Sequence, residues 1–187
     1  MPLSRWNLFR REPEEASAAP LYAAIVAQAR RPAFYAVCGV PDSLDGRFEL
    51  VALHVYLVLR RLKGGDLPAQ ALAQSLVDLF FADMDASLRE MGAGDLGVGK
   101  RVQKMAAAFY GRIAAYDRAE SGGAAGEALK RNLFGTVEVG AERIAAMTDY
   151  VERAEALMAA RPLAEITAGR PVFPDPPGSD GAGETPA

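Results

Sequence analysis

Glycines in the stretch MGAGDLGVGKRV fit two patterns of phosphate-binding loops. Gly92, Gly94 and Gly97 spell G-x-G-x-x-G, in which a helix that follows a β-strand directs its N-terminus at the pyrophosphate of a dinucleotide. Gly94, Gly99 and Lys100 spell G-x-x-x-x-G-K, the greater part of a P-loop. Either pattern would make the chain a nucleotide-binding enzyme that uses the loop from Gly92 to Lys100.

The residues around this stretch argue against both patterns. The segment before Gly92, LVDLFFADMDASLREM, has the 3.6-residue period of a helix rather than the alternation of a strand. Arg101 stands where a P-loop needs Ser or Thr to bind magnesium. We therefore predict a turn between two helices. In this turn Gly92 or Gly94 ends the first helix, and the Asp95 side chain accepts hydrogen bonds from amides that open the second.

Positive charges follow the predicted turn. Lys100, Arg101 and Lys104 would lie in the first turns of the second helix, where a cation is unfavourable against the helix dipole. Because this placement costs the helix a little stability, it indicates a surface patch that is used, and we predict that the patch docks another protein.

Carboxylates before the turn have the chemistry to bind a metal or to transfer protons. Asp83 and Asp85 are two positions apart, so they diverge by about 200° around a helix and cannot chelate together. Asp85 is expected to pair with Arg89 at the helical spacing i, i+4. The pattern therefore predicts a solvated helix face and no metal site.

Histidine and cysteine occur once each. Cys38 permits no internal disulfide and no C-x-x-C metal site, and it favours a reducing compartment. His54 lies beside the apolar stripe of the most apolar segment, where a hydrogen-bonded core histidine is expected. A small-molecule carrier for haem or quinone that uses His54 is the alternative interpretation.

Composition predicts one helical domain between two irregular ends. The chain has 187 residues, 50% of them hydrophobic, and a net charge of -3, which offers no basic surface for nucleic acid. We predict an all-α domain over residues 20–168, a flexible segment over 1–19, and a disordered Pro/Gly-rich tail over 169–187. The most apolar run, FELVALHVYLVL, is shorter than the roughly 20 residues of a membrane span.

Apolar residues near the N-terminus allow contact with a membrane surface. Leu3, Trp6 and Phe9 could face lipid while neighbouring arginines lie at the headgroups. Arg10, however, falls on the apolar side of a helical projection. A flexible tail is the preferred interpretation, and peripheral lipid contact the alternative.

Apolar positions spaced by three and four residues predict five main helices and a short one. The first is expected to begin after Pro20, and the second to begin at the capping candidates Asp42 and Ser43 and to stop at Gly64. The other expected bounds are about 21–29 for the first helix, 68–91, 98–118 and 137–160 for the later long ones, and 129–134 for the short one.

Several long motifs occur in an order that chance does not explain. Within residues 81–116 the motifs ADMD, LREMG, GDLGVGKRV and MAAAFYGR follow one another. The stretch PAFYAVCGVPDSLDGRFELVALHVYLVLRRLKG precedes them, and LKRNLFG follows. Over about residues 21–134 the chain resembles the ubiquinol–cytochrome c chaperone family.

The resemblance implies a non-enzymatic assembly factor for ubiquinol–cytochrome c reductase, without a cofactor. Mitochondrial members of the family bind newly made cytochrome b. The expected partner is therefore cytochrome b or its assembly intermediate, with a second assembly factor as a further partner. A bacterial member would work in the cytoplasm, peripherally on the cytoplasmic face of the inner membrane, and a eukaryotic one in the mitochondrion.

A helical bundle could shelter the apolar helices of cytochrome b in a groove lined by Met, Phe and Leu. Met84, Met91 and Met105 fit such a groove, although the same periodicity also fits an ordinary core. The predicted partner-binding surface comprises Asp83, Asp85, Arg89, Asp95, Lys100, Arg101, Lys104, Phe109 and Tyr110.

Overall fold

A computed structural model describes residues 13–90, 95–122, 125–135, 137–171 and 173–179. Regular structure in these residues is helical throughout, which confirms the predicted all-α class. The elements are α1 (Pro13–Ala29), α2 (Ala33–Ala36), α3 (Leu44–Leu62), α4 (Leu67–Glu90), α5 (Asp95–Gly122), α6 (Ala125–Leu129), a π-helical turn (Lys130–Phe134), α7 (Ala141–Ala160) and α8 (Leu163–Thr167).

Helix α3 is the centre of the bundle, as its apolar faces predict. The Ser43 hydroxyl accepts a hydrogen bond from the Gly46 amide at 3.1 Å and caps its first turn. Helices α1, α4 and α7 pack around α3 and bury most of its side chains. At its other end the chain turns at Gly64, whose φ of 77° lies in the left-handed region.

Helix α4 presents its predicted stripe to the core. Its start is fixed by Asp66, whose carboxylate accepts a hydrogen bond from the Ala69 amide at 3.1 Å. Buried residues of the stripe are Leu72, Leu76, Phe80, Met84 and Leu88. The last residue of the predicted stripe, Met91, lies outside the described residues.

Three later helices differ from their predicted bounds, and the first of them, α5, runs over Asp95–Gly122 instead of 98–118. The short helix predicted at 129–134 begins at Ala125 and widens into the π-helical turn, which buries Leu133 and Phe134. Helix α7 begins at Ala141, so Val137 lies outside it and is exposed. Gly140 precedes α7 with extended backbone, so the helix begins four residues after the predicted start.

The predicted start of the first helix after Pro20 is wrong. Helix α1 begins at Pro13 and contains Pro20. A proline inside a helix removes one backbone hydrogen bond, and burial of Ala18 and Leu21 in the core offsets this loss. Residues 13–19 of the segment predicted to be flexible are therefore helical.

The chain after α8 returns across α1, and we call residues 173–179 the strap. Phe173 packs against the core, and Pro174 and Pro176 are buried. Gln28 Nε2 donates to the Pro174 carbonyl at 2.9 Å. The prediction of disorder is wrong for these residues, because prolines and one aromatic side chain dock with little loss of conformational entropy.

Candidate functional site

Helices flank the glycine-rich stretch on both sides. Helix α4 ends at Glu90 and α5 begins at Asp95, so a helix stands where the dinucleotide pattern requires a strand. Gly99 and Lys100 lie within α5, where a P-loop would need an irregular loop. The predicted connection between two helices is confirmed. Gly92 and Gly94, to which the turn itself was assigned, lie outside the described residues.

A groove runs between the first turns of α3, the last turns of α4 and the N-terminal half of α5. It consists of two adjoining cavities of about 800 and 700 Å³. Both are lined by Leu44, Phe48, Leu88 and Met105, and we call the two together the α3–α5 groove. Its shared wall is therefore wholly apolar.

Each cavity of the groove adds its own set of side chains. The first also touches α2, the turn that follows α1 and the α4 residues before Leu88, and its further lining includes Arg30, Tyr35, Asp42, Arg47, Val51, Asp83, Met84 and Ser87. The second extends to the π-helical turn, and its further lining includes Pro41, Asp45, Glu49, Lys104, Arg112, Arg131, Asn132 and Val137.

An ion pair joins α3 to α5 at the floor of the groove. The Arg112 guanidinium donates to both carboxylate oxygens of Glu49. Burial raises the pKa of the Glu49 carboxyl, and Arg112 opposes this shift. The guanidinium carbon also lies 5.5 Å from the centre of the Phe48 ring, within the range of a cation–π contact. Polar and apolar contacts together hold α5 beside α3.

The predicted acidic residues on α4 do not act together. The Tyr22 hydroxyl donates to Asp83 at 2.7 Å, whereas Asp85 pairs with Arg89 at 2.6 Å. Burial, together with the bond to Asp83, raises the pKa of Tyr22. The predicted pairing of Asp85 with Arg89 is confirmed. Among the described residues there is no cluster of side chains able to hold a metal ion.

The predicted partner-binding residues on α5 that the structure describes do not share one surface. Lys104 is exposed and lines the groove. Phe109 is fully buried against Phe80 at a ring distance of 4.9 Å, so its placement on an exposed surface is corrected. Tyr110 is 56% exposed but lines a separate cavity of about 460 Å³. The side chains of Asp95, Lys100 and Arg101 lie outside the described part of the structure.

Sequence reasoning missed the groove residues that lie far from the glycine stretch. Leu44 is 48% exposed on one rim, and Val137 is exposed on another. Arg131 and Asn132 reach the groove from the π-helical turn. Their motif, LKRNLFG, was the available signal, but spacing along the chain does not show that it folds back onto α3 and α5.

His54 is a hydrogen-bonded core residue, as predicted. Its Nδ1 donates to the Leu50 carbonyl at 2.7 Å, and its Nε2 accepts from the Tyr150 hydroxyl at 2.7 Å. Burial lowers the pKa of His54 to about 4. Since both ring nitrogens are engaged, neither is available to haem iron. Cys38 is also buried, which raises the pKa of its thiol to about 11.

Comparison with known proteins gives the groove a family context. The family model described as "Ubiquinol-cytochrome C chaperone" matches residues 36–173. The chain belongs to the ubiquinol–cytochrome c chaperone family. The match contains α3, α4, α5 and the π-helical turn, and thus the greater part of the α3–α5 groove.

Relatives agree with this assignment. The crystal structure of the Cbp3 homolog from Brucella abortus is 38% identical and superposes with a TM-score of 0.78, covering 87% of this chain and 91% of that one. "Ubiquinol-cytochrome c reductase complex assembly factor 1" of Mus musculus is 25% identical over 114 residues, which are 61% of this chain and 37% of the mouse protein. The Xenopus laevis protein of the corresponding name is 26% identical over 84 residues, 45% of this chain and 42% of its own length.

No helix in the described part of the chain combines the length and the apolar character needed to cross a membrane.

Proposed function

We propose that the chain is a non-enzymatic chaperone for the assembly of ubiquinol–cytochrome c reductase, and that it holds newly made cytochrome b in the α3–α5 groove. The observation that carries the proposal is the apolar groove itself, at which Leu44 stays half-exposed at the start of a well-packed helix. Family membership and the name of the mouse relative support a role in the assembly of the reductase, and cytochrome b is the client that the family resemblance implies.

The chemistry of the groove suits an apolar helix. Met84 and Met105 contribute unbranched, polarizable side chains, which adapt to the irregular surface of a bound helix. Phe48 and Leu88 provide a firm wall, since both are more than nine-tenths buried. Helix-in-groove recognition of this kind buries the apolar face of a segment that has no membrane or partner subunit yet.

A matched pair of substitutions tests the groove. Leu44 and Leu67 are both exposed leucines at the first residue of a helix, but Leu67 lies outside the groove. An aspartate at either position is compatible with the helix dipole, so Leu44→Asp and Leu67→Asp should both remain folded. We expect Leu44→Asp to recover several-fold less cytochrome b than the unmodified chain, because a carboxylate in the apolar wall must be desolvated.

The measurement is quantitative mass spectrometry of proteins that co-purify with the tagged chain from cells that make the reductase. Leu67→Asp should recover as much cytochrome b as the unmodified chain. Equal recovery by folded Leu44→Asp would remove the groove from the proposal. Unchanged haem b absorbance and unchanged assembled reductase in cells lacking the chain would remove the assembly role altogether.

A further inference from the structure

Unpaired cations line the second cavity of the α3–α5 groove. Lys104 of α5 and Arg131 of the π-helical turn are both exposed, and neither forms an ion pair with any residue that the structure describes. In contrast, Arg112 is held by Glu49. Asp45 is the remaining carboxylate of this cavity, so the unpaired groups carry a net positive charge in a chain that is acidic as a whole.

Asn132 follows Arg131 in the sequence, lines the same cavity and carries a buried hydrogen-bond donor, Nδ2. No residue that the structure describes accepts from this donor in hydrogen-bond geometry, although the amide is close enough to the Tyr116 hydroxyl to oppose the rise that burial causes in the pKa of Tyr116. Buried donors are normally satisfied in native proteins. Asn132 also lies in the π-helical turn, and such turns occur frequently at functional sites.

The walls next to these groups are apolar. Leu44 and Val137 are about half-exposed, and Met105 lies beside them. A ligand of this cavity must therefore combine an apolar surface with a group that accepts hydrogen bonds and carries negative charge.

We propose that this cavity recognises an acidic side chain of the bound polypeptide, so that the preferred client segment is an apolar helix with an aspartate or glutamate at one end. The inference rests on the proposed function, because it takes a polypeptide as the occupant. Lys104 and Arg131 would pair with the carboxylate, and a rotation of the Asn132 amide would give Nδ2 its acceptor. The apolar helix itself would lie along Leu44, Phe48 and Met105.

Two fluorescent peptides test the inference with the full chain. They share one apolar helical sequence and differ only in a terminal aspartate or asparagine. We expect the aspartate peptide to bind about tenfold more tightly, the effect of one charge-assisted hydrogen bond. Lys104→Glu combined with Arg131→Glu should abolish or reverse this preference. Lys130→Glu is the control, since Lys130 is an exposed neighbour that does not line the cavity.

The outcomes separate the inference from the proposed function. Equal binding of both peptides would overturn the acidic subsite and leave groove binding intact. Binding of neither peptide would overturn both. A loss of preference in Lys130→Glu as well would assign the effect to general surface charge, and equal competition by inorganic phosphate or by anionic vesicles would assign it to a free anion or a lipid headgroup; either result overturns the inference.

Discussion

At the scale of single residues, His54 shows how an ionisable group is kept neutral in an apolar core. Phe34, Tyr150 and Phe173 surround its ring. Within this group of four rings, the centroids of contacting pairs lie 5.0–5.7 Å apart. The Leu50 carbonyl can only accept, so Nδ1 carries the proton and Nε2 accepts from Tyr150. Both ring nitrogens have a partner in the neutral form, and burial disfavours the charge that a second proton would bring.

The stability of the fold should therefore depend on His54 in acid. An unfolded histidine titrates near 6.5, whereas folded His54 titrates at about 4. Between these values the unfolded chain takes up a proton that the folded chain does not, so the free energy of unfolding falls as the pH falls. Its contribution is complete above pH 6.5, and the slope is at most about 1.4 kcal/mol per pH unit.

Urea unfolding at a series of pH values measures this dependence. Subtracting the curve of His54→Gln removes the contribution of the carboxylates, which titrate in the same range. The difference between the two proteins should shrink from pH 6.5 towards pH 4. Parallel curves over this range would contradict the assignment of a neutral, desolvated histidine.

Local spacing was sufficient to predict several residue-scale contacts. The Ser43 cap, the pairing of Asp85 with Arg89 and the core position of His54 depend on neighbours within four or five positions along a helix. Local spacing does not predict that Phe109 is buried and Tyr110 exposed. They are consecutive, and the packing of α5 on α4 decides which of them is buried.

At the scale of elements, α5 is joined to α3 by polar side chains. Glu49 pairs with Arg112 near one end of the contact, and the Tyr56 hydroxyl donates to Asp117 at 3.1 Å near the other. Glu49 is nearly buried, so its carboxylate has lost its contact with water and is paired with the Arg112 guanidinium instead.

Arg112→Met should destabilise the protein by about 3 kcal/mol, because it leaves the Glu49 carboxylate buried without its counter-charge. The double variant Glu49→Gln with Arg112→Met should regain most of this loss, since no unpaired charge remains. Denaturant unfolding of the two variants, with Glu49→Gln alone as control, gives the coupling between the sites. A double variant as unstable as Arg112→Met would show that packing rather than charge decides the effect.

Element boundaries were predictable where capping residues and apolar stripes coincide. Helices α3 and α4 begin and end within a residue or two of their predicted limits because Ser43, Asp66 and Gly64 fix their ends. The first turns of α1 and the strap were missed for one reason. Each is stabilised by contacts with distant parts of the chain, whereas its prolines locally indicate irregular structure.

At the scale of the whole molecule, the element before the glycine stretch is helix α4 and not a strand, which argues against nucleotide binding. A ligand at 100 times its dissociation constant would stabilise the fold by about 2.7 kcal/mol, or about 5–10 °C in melting temperature for a chain of this size. We expect ATP with magnesium, and NAD, to cause no shift. A saturable rise with either ligand would contradict the helix–turn–helix interpretation.

The sequence predicts that the bundle could contain an apolar groove, but it does not predict where the groove lies. Its shared wall comes from Leu44, Phe48, Leu88 and Met105, which belong to three helices separated in the sequence. Periodicity places each of these side chains on the apolar face of its helix. Only the angles between the helices decide that they line an opening, and no pattern within one helix encodes those angles.

The strap has a consequence for the order in which the protein matures. Gln28 and Pro174 are 146 positions apart, and Arg31 pairs with Asp175 across 144. At about 5–20 residues per second, a ribosome needs roughly 6–24 seconds to pass from His54 to Phe173. During that interval the nascent chain carries His54 without the Phe173 ring that packs against it. Helix α1, which is translated first, is thus covered by the strap, which is translated near the end of the described chain. His54 becomes fully buried only after the strap has been made.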